Sequence, residues 1–279
     1  MKFEVFTELK YESIIPSTLI LNIQPFKTVG QQVLQEDFSC NLDLKSYEWY
    51  ANAGEKRFKV LEVPVAKEVV FTYSATVENQ VKTIPARRLD DVQISFMPVS
   101  VLPYLNPSRY CESDKLYKFA FDKFGAIEST FEKVMAIRDW IYDNVEYKGG
   151  VSSTHTSAYD TVNEQIGVCR DFAHLGVALC RALTIPARYY TGYGYQLVPQ
   201  DFHACFEVFL GGYWVIFDAT KMVPINGLIK IATGFDATDC ALASSFGNLN
   251  FTSMEVRTSC LEEDFQALDR DSLAQGYVY

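Results

Sequence analysis

A chain of 279 residues, 48% of them hydrophobic, carries enough apolar surface for one large core or two ordinary ones. Its 25 basic and 35 acidic residues leave a formal charge of −10, so nucleic acid and anionic membrane surfaces repel it, and no basic run reverses this locally. Seven cysteines, an odd number with no CxxC among them, fit reduced thiols in a cytoplasmic protein better than a secreted disulfide framework.

The chain opens MKFEVFTELKYE, in which charged and apolar residues alternate and no signal-peptide core is present. The longest apolar run, residues 13–23, contains Pro16 and is too short to cross a bilayer. Leu19, Leu21 and Ile23 alternate strictly. Further strand-like runs begin at Cys40, Phe58 and Val69, with turn residues at Pro25 and Asn52 to Gly54. This spacing predicts an antiparallel β-sandwich-like domain over residues 1–105, which presents no chemistry of its own.

Around residues 103–107 the period changes from two to that of a helix. Ser113 is a candidate N-cap, followed by Leu116, Phe119, Ala120 and Phe124, with Gly125 as a stop. A second helix is expected from Ser129 to Val145 on an apolar face of Phe131, Val134, Ile137 and Ile141. The loop at 148–157 precedes a third helical stretch, Gly167-Val-Cys-Arg-Asp-Phe-Ala-His-Leu, which Pro186 must end. Cys169 then falls in or just before the first turn. The free N–H groups and helix dipole there favour a thiolate nucleophile and can bind a developing oxyanion.

Downstream, Phe202-His-Ala-Cys-Phe-Glu-Val-Phe-Leu and Tyr213-Trp-Val-Ile-Phe-Asp flank Gly211-Gly212, the signature of a hairpin. If Leu210 pairs with Tyr213, His203 and Asp218 are diagonal neighbours on one face, roughly 7 Å apart at Cβ or less. The other face, Ala204, Phe206, Val208, Leu210 with Tyr213, Val215, Phe217 and Ala219, is apolar and belongs to a core. Cys169 as nucleophile, His203 as acid–base and Asp218 as orienting carboxylate make a candidate catalytic set.

These blocks, with Ile185-Pro-Ala-Arg-Tyr, Pro107-Ser-Arg-Tyr-Cys and Gly234-Phe-Asp-Ala-Thr-Asp, resemble the motifs of the bacterial transglutaminase-like superfamily over about residues 100–245. Many of its members are described as cysteine proteases. The resemblance implies an α+β fold: an N-terminal β-domain (1–105) followed by a papain/transglutaminase-like catalytic core (106–279, including a C-terminal tail), with the triad positions taken by Cys169, His203 and Asp218. Phe235 stands where the family block has Arg, and Arg170 where animal transglutaminases have Trp. No calcium loop is evident. The implied activity is a thiol-dependent amide or peptide hydrolase working through an acyl-enzyme, with no cofactor. The alternatives are acyl transfer to an amine and a non-catalytic binding module with a relic triad.

Other chemistry-bearing residues read more plainly. Cys169 and His174 lie about 140° apart around a helix and cannot share a metal from one face. His174 reads as a structural residue bonded near Asp171, and His155 as exposed. Cys180 and Cys205 read as packing, and Glu207 as a carboxylate that holds a bound water or an Arg rather than a catalytic group. Trp214 suits either the acyl site or the core. Tyr147 and Gln165 are candidates to assist the oxyanion hole.

Overall fold

The computed structural model describes residues 1–51 and 56–279. The first strands are β1 (Lys2–Ser13), β2 (Ser17–Leu21), β3 (Gln31–Cys40), β4 (Ser46–Ala51), β5 (Lys56–Val63), β6 (Ala66–Asn79) and β7 (Lys82–Pro85). Then follow α1 (Ser113–Phe124), α2 (Thr130–Asn144), β8 (Glu146–Tyr147), α3 (Ala158–Glu164), β9 (Ile166–Gly167) and α4 (Cys169–Ala182). The chain continues with β10 (Ala187–Gly194), β11 (Phe202–Leu210), β12 (Tyr213–Phe217), β13 (Leu228–Gly234), β14 (Ala243–Phe246), β15 (Leu249–Cys260) and β16 (Gln275–Val278). The turn expected at Asn52 to Gly54 lies outside the described residues.

In β1 the period-two pattern buries Phe3, Val5, Thr7, Leu9 and Tyr11 and turns the charged residues outward. Two antiparallel sheets, ordered β15-β1-β6-β3 and β14-β2-β5-β4, share a core of Phe3, Leu9, Leu19, Leu61 and Phe71. A third sheet, β12-β11-β10-β13, carries α4 on one face. Here Gly176 permits close packing, because a Cβ at that position would come within 2.5 Å of the Phe206 ring. The core beneath α4 joins Leu175, Leu179 and Cys180 to Phe206, Val208, Val215 and Phe217, the hairpin face expected to be apolar.

The fold is thus α+β, with β-sheets first and helices after Ser113. The division at residues 105/106 needs one amendment. The C-terminal stretch is no tail of the second domain: β15 pairs with β1, β14 with β2, and β16 with β7. The edges of β1 and β2 would otherwise present unpaired backbone groups to solvent. The β-domain and the third sheet also share one core, in which Phe3 and Val5 lie with Tyr189, Tyr193, Phe202 and Ile229.

Candidate active site

Cys169 is the first residue of α4, after Val168 in extended conformation. The turn is fixed by Asp171, which is fully buried and accepts from the Val168 N–H at 3.0 Å and the Ser152 hydroxyl at 2.9 Å. Arg170 ties the loop before the helix in place, donating to the Ser153 and Thr156 carbonyls at 3.3 and 3.1 Å. The sulfur is therefore held on a rigid helix end.

Gly211 and Gly212, both at positive φ, close the hairpin, a conformation open to glycine at little cost. Pairing runs Leu210↔Tyr213 to Phe206↔Phe217, and Asp218 follows the last paired residue. This is the register that places His203 and Asp218 on one face. His203 Nε2 and Asp218 Oδ2 lie 3.0 Å apart, both side chains buried. The second carboxylate oxygen accepts from the Thr220 N–H and hydroxyl at 2.9 and 2.8 Å, which fixes the carboxylate plane.

The other imidazole nitrogen, Nδ1, is buried without a hydrogen-bond partner among the described residues, and Cys169 is near enough to act electrostatically on the ring. Burial works against charge on His203, but Asp218 and then Cys169 outweigh it and push the imidazole up to about 10. Burial likewise opposes ionisation of Asp218, and His203 outweighs it, holding the carboxyl below its ordinary range. The ring is thus an imidazolium at neutral pH.

Cys169 and His203 open on one cleft of about 820 Å³, walled by Tyr110, Tyr189, Phe202, Ala237, Leu242 and Met254. Of the two oxyanion candidates, Tyr147 stands beside the sulfur. Its strand pairs with β9 just before Cys169, and its ring packs on Phe172. Partial burial first, then Cys169, raise its phenol to about 12. Gln165 is exposed and caps α3 in left-handed conformation, contributing its carbonyl to the Glu146 N–H at 2.8 Å.

The remaining residues fall outside the reacting centre. His174 does not bond to Asp171. Its Nε2 accepts from the Ala237 N–H at 3.1 Å, and its ring is stacked between Tyr110 and Tyr189. Burial, then Arg170, hold it well below the ordinary imidazole range, so it stays neutral. His155 is exposed, and Cys180 and Cys205 are buried. Glu207 lies between Arg188, at 2.6 Å, and Lys230, both buried. Trp214 does not line the cleft; it lies under the Arg188 guanidinium and against Tyr104. Sequence reasoning missed the cleft walls at Tyr110, Ala237 and Met254. The first two lie in the 107–111 and 234–239 blocks, which meet where Asp236 accepts from the Tyr110 N–H at 2.9 Å.

The family profile described as the transglutaminase-like superfamily matches residues 117–219, and that of the bacterial transglutaminase N-terminal domain matches residues 1–100. A crystal structure described as a "putative cysteine protease" from Cytophaga hutchinsonii is 48% identical, covers 100% of this chain and 97% of that one, and superposes with a TM-score of 0.96. The chain belongs to the transglutaminase-like superfamily. An uncharacterised protein of Mycobacterium leprae is 26% identical over 201 residues, 68% of this chain and 72% of that protein. Within the superfamily match lie all three residues of the candidate set: Cys169, His203 and Asp218.

Proposed function

We propose that the protein is a thiol-dependent amide hydrolase acting on peptide or peptide-like substrates through an acyl-enzyme on Cys169. The observation that carries this reading is the buried His203–Asp218 pair at 3.0 Å, with the free ring nitrogen next to a cysteine on a helix N-terminus. Cys169 attacks the amide carbon as the thiolate, its proton already held on the His203 ring. The Cys169 N–H and the Tyr147 hydroxyl bind the oxyanion. The His203 imidazolium gives its Nδ1 proton to the leaving amine, then takes a proton from the water that opens the thioester. Asp218 holds the ring in place and stabilises its charge. Seven unpaired cysteines support a reducing, cytoplasmic setting.

Acyl transfer to an amine shares the first half of this chemistry. It is favoured by Asp201, which lines the cleft two residues before His203 and is ion-paired to no Lys or Arg among the described residues. The test is a library of peptides and amides screened against the wild type and Cys169→Ala, with the acyl adduct sought by mass spectrometry and glycine ethyl ester as competing acceptor. Cys169-dependent cleavage with an adduct on that residue supports the hydrolase. Faster turnover into an ester-capped product assigns the transferase, and turnover that survives Cys169→Ala refutes both.

A further inference from the structure

The catalytic cleft does not end at the catalytic sheet. Phe202, Leu242 and Met254 line both it and a second apolar groove of about 330 Å³, which lies at the mouth of the β-domain between β1, β2, β14 and β15. The groove floor is Leu9, Tyr11 and Leu19, all buried, and its outer wall is Phe251 and Met254, 56% and 40% exposed.

That wall depends on an irregularity in β15. Leu9 pairs with Met254 and Tyr11 with Phe251, so two steps along β1 oppose three along β15 and Thr252 is an extra residue. In a regular strand, residues three apart point to opposite faces. The bulge turns both Phe251 and Met254 to the face of Leu9 and Tyr11, where the Phe251 ring meets Tyr11 edge-on at 5.6 Å. The outcome is a continuous apolar surface leading from the thiol onto the β-domain. β14 and β15 each end a sheet, leaving backbone N–H and C=O groups along one side of each to pair with an extended chain.

We infer that this groove is a subsite for an extended polypeptide segment of the substrate, with a large apolar side chain seated between Phe251, Met254 and Tyr11. The inference rests on the acyl-enzyme reading of Cys169 and names its substrate class. Continuity with the cleft selects the occupant. From Met254, which lines both cavities, to Phe251 is roughly 10 Å along the strand. That is the reach of about three extended residues. The recognised side chain thus sits about three residues beyond the one that passes Met254 at the cleft.

The test uses iodoacetamide and pairs of peptidyl reagents on the full chain, iodoacetyl-oligoglycine amides of three to six residues and the same peptides ending in Phe, compared at each length. Rates of alkylation at Cys169 are read by peptide mass spectrometry. At the length that reaches the groove, the Phe reagent is expected to react about 10-fold faster than the Gly reagent, the worth of one partly buried aromatic side chain. Phe251→Gln and Met254→Gln should each collapse that ratio toward one. Tyr47→Gln, an exposed aromatic on β4, should leave it intact. Equal rates for the two peptidyl reagents at every length, or a ratio that survives both groove variants, overturn the subsite. So does a groove closed by a second copy of the chain, seen as a dimer that Phe251→Gln dissociates. The acyl-enzyme reading is judged separately, by whether iodoacetamide selects Cys169 over the other six thiols at pH 6. The peptidyl ratio is also measured at about pH 9, where ordinary thiols ionise, and so stands whatever that result is.

Discussion

Replacing Asp218 with Asn changes one buried charge and almost nothing of the shape. The carboxylate takes three contacts, from His203 Nε2 and from the N–H and hydroxyl of Thr220, and an amide oxygen can keep the last two. It cannot keep the charge that outweighs burial and lifts His203 to about 10. With that charge gone, burial dominates and the ring should titrate below its ordinary value of about 6.5. At pH 8 the imidazole would change from about 99% charged to about 3% or less. The raised value also stabilises the fold. That contribution is fully present below about pH 6.5 and is lost as pH rises through about 10, on the order of 5 kcal/mol in all. Asp218, held low by the same pair, loses its share as pH falls through its own folded value, so the pair is one contribution seen from two sides. The chain has three histidines, which makes an NMR titration of imidazole carbons between pH 5 and 11 direct. The wild type should show one ring titrating near 10, and Asp218→Asn should move it below 7. The kcat should fall by on the order of 10³ to 10⁴, as when the orienting carboxylate of a triad is neutralised. A His203 that titrates alike in both proteins would refute the ion pair and the role given to Asp218.

Tyr147→Phe should lower kcat by about 100- to 1,000-fold with little change in KM, as expected of an oxyanion donor, while Gln165→Ala should leave both unchanged; steady-state kinetics separate the two. Glu207→Gln removes the anion that buried Lys230 pairs with and that Arg188 shares, and should cost about 3–5 kcal/mol in chemical denaturation. A loss under 1 kcal/mol would show that the two cations relax to water. Gly176→Ala drives a methyl group against Phe206 and should cost about 1–3 kcal/mol, read from the same unfolding curves.

The His203–Asp218 pair was legible because a Gly-Gly loop fixes hairpin register, and a period of two then fixes the face. The helix carrying Cys169 was legible from its apolar stripe and from Pro186. The return of the chain to the β-domain was not. In β15 only Val256 and Thr258 are buried, so the strand shows little alternation, and its partner β1 is more than 200 residues away in sequence. Pairing of that kind is set by which sheet edge is free, a tertiary property. Two of the cleft-wall blocks were visible as motifs, but that Tyr110 and Ala237 would sandwich and cap His174 depended on how distant loops meet. Helix α3, seven residues long, is too short to register a period, and the sequence predicts no element over residues 158–164.

The polar face of the hairpin explains why one histidine can hold so much charge in an apolar interior. His203, Cys205 and Glu207 follow one another at two-residue spacing, with Asp218 beside them, so two acids stand near one buried cysteine. Had Glu207 been unpaired, its charge would act on the same ring as Asp218 and its own burial would drive it to take up a proton. Arg188 and Lys230 instead hold Glu207 below the ordinary range against burial, with the Arg188 guanidinium over Trp214 and Lys230 over the Tyr279 ring. The two anions are thereby separated: Glu207 pairs with cations on β10 and β13, and Asp218 pairs with His203. Cys205 lies between them, its thiol driven well above the ordinary range by burial first and then by both carboxylates. It therefore remains a neutral spacer, and of the buried groups on this face His203 is the one whose charge Asp218 sets.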